Sequence, residues 1–241
     1  MYTATDFARI QRSGFQYNLP QETVDVIRRL ADLVGAEMPL LTKSSRPQKH
    51  GDEKVLAEIK SDLNKLSDDT FQEISPSLLR NIQLLSPEIG ANIVMDTAAN
   101  NAFYAHLYAK ILVQCHDHVR FASDRMVAHE ARVLACDATC RAFTTFLVHL
   151  VHEKGLPDTA VAAMAANFQD AIEWGMHDIS ARALNEELVE HVIELAEWLP
   201  TTKLAAMATR LPKDNAGITF KVMFKYLDYQ EKTLKKKILM H

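Results

Sequence analysis

A chain of 241 residues can bury one sizeable core, and 48% hydrophobic with 24% charged residues is the composition of an ordinary folded protein. With 31 acidic against 27 basic residues the formal net charge is -4, which excludes a global field drawing the chain to nucleic acid or an anionic membrane; such contacts have to use a local patch. Only 7 glycines and few β-branched runs favour helix over sheet.

The 3 cysteines, Cys115, Cys136 and Cys140, are an odd count that argues against a disulfide framework and for a reducing compartment. MYTATDFARIQRSGF lacks the apolar core of a secretory signal, and no stretch approaches the roughly eighteen apolar residues of a membrane span. A soluble cytoplasmic or nuclear protein without membrane contact is expected.

In chain order, Phe7, Ile10, Phe15, Tyr17 and Leu19 are apolar but without period, fitting an arm laid on the core or a partner-binding segment. A first helix is expected over Glu22–Val34, with Val24, Ile27, Leu30, Leu33 and Val34 as its stripe, Pro20 before it and Gly35 after it. Residues 36–53 (AEMPLLTKSSRPQKHGDE) read as a linker. Two regions follow: an N-terminal arm with one helix and the linker at 1–52, and a helical domain at 53–241.

Lys54 to Leu85 has the outline of a helical hairpin. Val55, Leu56, Ile59, Leu63 and Leu66 fall at helical spacing; Ser67, Asp68 and Asp69 interrupt the stripe as a helix start would; Phe71, Ile74, Leu78, Leu79, Ile82 and Leu85 resume it. Pro76, inside that second stripe, should kink or split its helix. Ser86-Pro87 opens a third helix carrying Ile89, Ile93 and Val94, which Asn100-Asn101 ends. A fourth spans Ala102–Cys115 with Phe103, Leu107, Ile111 and Leu112 inward. Val119 to Val151 reads as two helices split near Cys136–Thr139; helices at 159–174, 183–199, Thr202–Leu211 and from Ile218 to about Lys237 complete the chain. That is all-α, about five antiparallel hairpins of a length suited to an α-α superhelix of the HEAT type, with a compact bundle as the other architecture.

The 10 histidines raise a chemical alternative. His116-Asp117 and His177-Asp178 are similar to the His-Asp pair of helical metal-dependent phosphohydrolases, where converging ligands, here from His149, His152 or His191, would hold a metal that activates water. The plainer reading places these side chains near helix ends, satisfied by solvent or by the dipole. Cys136 and Cys140 lie four apart and could join Cys115 or His149 around zinc, but structural zinc sites use tighter pairs, and free cysteine is more often a small buried hydrophobe. His129-Glu130 lacks the second histidine of a zincin, since Val133 stands there, and no glycine-rich phosphate loop occurs. No cofactor or metal is expected. Trp174 and Trp198, near the ends of one hairpin, are expected to cap the core between repeats rather than to anchor a partner.

KVLAEIKSDLNKLSDDTFQEI resembles the opening repeat of the middle domain of eukaryotic translation initiation factor 4G, through Leu63, Asn64, Lys65, Leu66, Ser67 and Phe71. NIVMDTAANNAFYAHLYAKIL is similar to the second repeat of that family, with Asn101, Phe103 or Tyr104, Tyr108 and Ala109. CRAFTTFLVHLVHEKGL and ITFKVMFKYLDYQE, with Leu227 and Asp228, are similar to later family helices. The likeness covers residues 54–230 in order. The family's Gly-Asn before the second helix of the third repeat is absent, and no tyrosine fits the cap-binding-protein segment.

The resemblance implies a non-enzymatic HEAT-repeat scaffold for translation initiation, binding a DEAD-box RNA helicase of the initiation factor 4A type, RNA and other initiation factors. The helicase-binding residues it implies lie at the turns of the first repeats: Asn64, Lys65, Asp68, Asp69, Asn100, Asn101 and Phe103. Two basic clusters are candidates for RNA contact: Lys232, Lys235, Lys236 and Lys237 near the end, and Arg28 and Arg29 near the start. A solvated cationic helix end explains the lysines equally well. A helical-repeat adaptor unrelated to translation is the remaining alternative.

Overall fold

A computed structural model describes residues 21–34, 51–136, 141–198 and 209–239. Every regular element among these residues is helical, and no strand occurs among them. Backbone contacts divide the chain into two units, residues 1–48 and 49–241. In the first, α1 spans Gln21–Val34, and Leu30 and Leu33 of its expected stripe face solvent.

In the second unit, α2 (Asp52–Lys65) starts on Asp52 and Glu53 and ends on Lys65, so both ends match the helix dipole. Its Ile59 and Leu63 are fully buried. The turn after it closes on itself. The Thr70 hydroxyl donates to the Lys65 carbonyl at 2.8 Å and accepts from the Ser67 amide at 2.9 Å, so an otherwise orphaned helix-end carbonyl is satisfied. Ser67 therefore shapes the turn and does not start the next helix; α3 (Phe71–Gln83) begins after Thr70.

α3 runs unbroken through Pro76, contrary to the expected break. The missing N–H leaves the Gln72 carbonyl without its helical partner, but both residues are exposed, so water can take that place. The serine-proline start of the third helix holds: Ser86 caps α4 (Pro87–Ala98) by accepting from the Ile89 amide, with Pro87 as first helical residue. Of its expected stripe, Val94 is buried, Ile93 half-buried and Ile89 exposed; the small residues Gly90, Ala91 and Ala98 carry the packing instead. α5 is Ala105–Gln114. Phe103 precedes it and is 77% exposed, so the inward residues are Leu107, Tyr108, Ile111 and Leu112.

A single turn, α6 (His116–Val119), leads into α7 (Phe121–Leu134), and α8 follows at Arg141–His152. The split expected near Cys136–Thr139 thus falls between Leu134 and Arg141, with 137–140 outside the described residues. α9 (Asp158–Gly175) and α10 (Arg182–Ala196), joined through a 3₁₀ turn at Ile179–Ala181, form the most extensive helix pair. The helix expected at Thr202–Leu211 lies outside the described residues except for 209–211, which are not helical. α11 (Phe220–Leu239) closes the unit against α10.

Packing follows chain order with one departure. α2 and α3 pack on each other and on α4; α4 pairs with α5; α9 pairs with α10. α7 and α8, consecutive in the chain, are not a close pair, and α8 instead lies chiefly against α5 and α10. The expected hairpin at that position is thus replaced by a crossing in which side chains make the link.

That link is a buried polar relay. His129 Nε2 on α7 lies 2.8 Å from Thr144 Oγ1 on α8, which lies 2.6 Å from His191 Nδ1 on α10. His191 Nε2 is 3.4 Å from Glu187, close enough for attraction but outside hydrogen-bonding geometry. Glu187 accepts twice from the Arg141 guanidinium. His129, Thr144, His191 and Glu187 are all buried, so this polar chain decides how three helices meet.

A second polar tie holds the segment before α11. Asn185, fully buried, donates to the Gly217 carbonyl at 3.0 Å and the Gly175 carbonyl at 3.4 Å. The Gly217 amide donates to Met176, and Arg182 donates to the Ala216 carbonyl. At Gly217 an added Cβ would lie 2.0 Å from the Gly175 carbonyl oxygen, so only glycine fits there.

Candidate partner-binding edge

The turns after α2 and after α4 lie side by side. Asp68 Oδ1, in the first turn, is 2.9 Å from His106 Nε2 at the start of α5. Tyr108, buried, directs its hydroxyl to the Leu63 carbonyl at 3.5 Å and accepts from the Asn101 amide nitrogen at 3.2 Å. Lys110 sits 5.9 Å from the centre of the Phe71 ring. One edge therefore carries both turns, cross-linked by a charged hydrogen bond and a tyrosine.

On this edge Asn64, Lys65, Asp68, Asp69, Asn100 and Phe103 are exposed and Asn101 is half-buried. Their neighbours explain why. Leu63 and Leu66 take the inward positions on either side of Asn64 and Lys65, and Tyr108 is buried where Phe103 is not. Asn100 donates to the Asp96 carbonyl at 2.7 Å, ending α4. The Phe103 ring meets Tyr104 edge-on at 4.7 Å, which fixes its direction while leaving its surface open.

The edge continues into rings that the sequence reading kept apart. His106 is 5.8 Å from the His149 ring of α8; Trp198, just after α10, is 6.0 Å from His149 and 5.8 Å from His152. Trp198 is 49% exposed and Trp174 92% exposed, so neither caps the core as expected. Both lie near helix ends, Trp174 in the last turn of α9 and Trp198 just after α10. Burial, with His106 and His152 beside it, holds the His149 imidazole below its ordinary pKa.

The basic candidates are placed differently. Lys232 lies 3.3 Å from Glu197 and Lys235 2.6 Å from Glu231; both lysines are exposed and each already has a carboxylate. Arg29 is exposed, while the side chains of Arg28, Lys236 and Lys237 lie outside the described residues.

His116-Asp117 and His177-Asp178 are exposed, and Asp178 is engaged in capping the 3₁₀ turn through Ser180. His191 belongs to the buried relay, while His149 and His152 belong to the ring file. Cys115 is buried, with its thiol pushed up to about 11 by burial; Cys136 is exposed, and Cys140 is outside the described residues. Among the described residues no group of three or more histidine, cysteine, aspartate or glutamate side chains could hold a metal ion.

The sequence reading missed the relay and the role of Asn185. The available signals for the relay were Glu187 and His191 four apart on one helix, and Thr144 within the otherwise apolar RAFTTFLVHL. No helix among the described residues is long and apolar enough to cross a membrane. No protein family, curated protein or solved structure matches this chain.

Proposed function

We propose that this chain is a helical-repeat scaffold for translation initiation, of the initiation factor 4G middle-domain kind, which binds a cytoplasmic DEAD-box RNA helicase of the initiation factor 4A type. The observation that carries the reading is the common edge of the α2–α3 and α4–α5 turns. Asp68 and Asn101, from segments 33 residues apart, are tied to one helix, α5, by His106 and Tyr108. The exposed side chains of that edge are polar at the turns, with one aromatic, Phe103, standing clear of the core. This is the composition of a recognition surface built on a rigid support, with a single aromatic anchor among polar groups.

The finer architecture belongs to the same proposal: α2 to α11 stack as an α-α superhelix, helped by the largely nearest-neighbour packing of successive pairs. Such a stack is stiff along its length. A partner with two lobes that touches the edge at separate points would be biased toward the arrangement that satisfies both. RNA is proposed as a second ligand, at Lys232, Lys235, Lys236 and Lys237, where lysines outnumber acids along α11 against the chain's net -4, or at Arg28 and Arg29.

The test is the RNA-dependent ATPase rate of a purified helicase of this type with and without the protein, beside a pull-down. An increased rate and co-precipitation are expected. No binding and an unchanged rate would refute the reading.

A further inference from the structure

We propose that the helicase edge does not end at the α4–α5 turn but continues along a file of rings from His106 through His149 and His152, and that Trp198 is its second anchor. This rests on the helicase reading for the identity of the partner. The continuity itself is geometric. Asp68, a turn residue, is hydrogen-bonded to His106 at 2.9 Å; His106 lies 5.8 Å from His149, and His149 lies 6.0 Å from Trp198. The rings come from α5, α8 and the residues following α10, so the file crosses successive helix pairs in the order in which they pack.

Trp198 is placed as an anchor would be. Half of its surface is open, at 49% exposure, while the His149 and His152 rings meet it at steep angles of 63° and 75°. Two imidazoles prop the indole, so little side-chain freedom remains to be lost on binding. Tryptophan is among the residues most enriched at interface hot spots. The His149 ring has no hydrogen-bond partner among the described residues, and as a neutral imidazole it can both donate to and accept from a partner. Trp174, more exposed at 92%, lies outside this file.

The experiment measures the affinity of a purified helicase of the initiation factor 4A type for the intact chain and three variants: Asn64→Ala with Lys65→Ala, Trp198→Ala, and His152→Ala. Circular dichroism and melting temperature check the fold of each. The expected result is that the wild type binds, and that both the turn variant and Trp198→Ala bind about tenfold or more weakly. His152→Ala should weaken binding severalfold with an unchanged melting temperature, because its side chain is 63% exposed. If the turn variant weakens binding while Trp198→Ala and His152→Ala match the wild type, the extension is overturned and the helicase reading stands. If the wild type does not bind, both fall. Should Trp198→Ala fail to fold, His152→Ala decides: wild-type affinity for that variant overturns the extension.

Discussion

The relay across α7, α8 and α10 predicts a specific acid sensitivity. Burial pushes the His129 imidazole down to about 3 from its ordinary 6.5, with His191 and the nearby arginines adding to the effect. The folded state therefore holds His129 neutral while the unfolded chain protonates it below pH 6.5. The unfolded state binds more protons throughout that window, so stability is fully present above about pH 6.5 and is lost as pH falls toward 3.

The size follows from the same shift. At pH 5.5 the unfolded chain gains RT ln 11, about 1.4 kcal/mol, from protonating this one group. For a domain of this size that is about 3–6 °C in melting temperature. His191 and His118, both buried and both shifted downward by burial, add to the loss. Glu187, held low by the Arg141 guanidinium, works in the same sense only at more acid pH, since its carboxylate titrates below the ordinary glutamate range. The first loss between pH 7.5 and 5.5 is therefore a histidine effect.

Thermal or urea unfolding at those two pH values checks it. The decisive comparison is His129→Gln, whose amide can still donate to Thr144 but cannot titrate. Its stability should fall by about 1.4 kcal/mol less than that of the wild type over the same interval. An identical loss in both proteins, or none in either, would refute the assignment of His129 as a buried neutral group.

Other predictions follow from close contacts. At Gly90 a Cβ would stand 2.7 Å from His118 Nε2 and 2.8 Å from its Cδ2, on a buried ring with little room to retreat. Gly90→Ala should cost about 1–3 kcal/mol in chemical unfolding, and adding His118→Ala should recover part of it. Asn185→Ala should cost about 1–3 kcal/mol because the Gly217 and Gly175 carbonyls lose their donor. Asn185→Asp, nearly the same shape but presenting an acceptor to acceptors, should be worse than alanine in the same assay. Asn64→Ala with Lys65→Ala should leave the free energy of unfolding within about 0.5 kcal/mol of wild type, as expected for exposed positions.

Periodicity made most helices legible because their inward residues are large and regularly spaced. Ile59, Leu63, Leu78 and Ile82 occupy the core positions that the stripe assigns them, and Ser86-Pro87 marks a helix start by a rule that depends on two residues alone. Legibility failed where a position depends on what lies across from it. Phe103 and Tyr104 are adjacent aromatics just before α5, and no local spacing says which turns inward: Phe103 is exposed, while Tyr104 packs half-buried against the core. Pro76 looked like a break because sequence does not show that Gln72, whose carbonyl loses its partner, faces water.

The same distinction separates the two halves of the candidate surface. The turn residues could be read from the chain because a turn between two stripes is exposed wherever the stripes are buried. The ring file could not, because His106, His149 and Trp198 stand on separate elements and nothing local relates them. Their alignment is produced by the unexpected placement of α8 against α5 rather than beside α7. That placement is in turn secured by Thr144, which reaches His129 on one side and His191 on the other. A polar residue within an apolar helix thus determines which helices are neighbours, and through them which exposed rings fall into line.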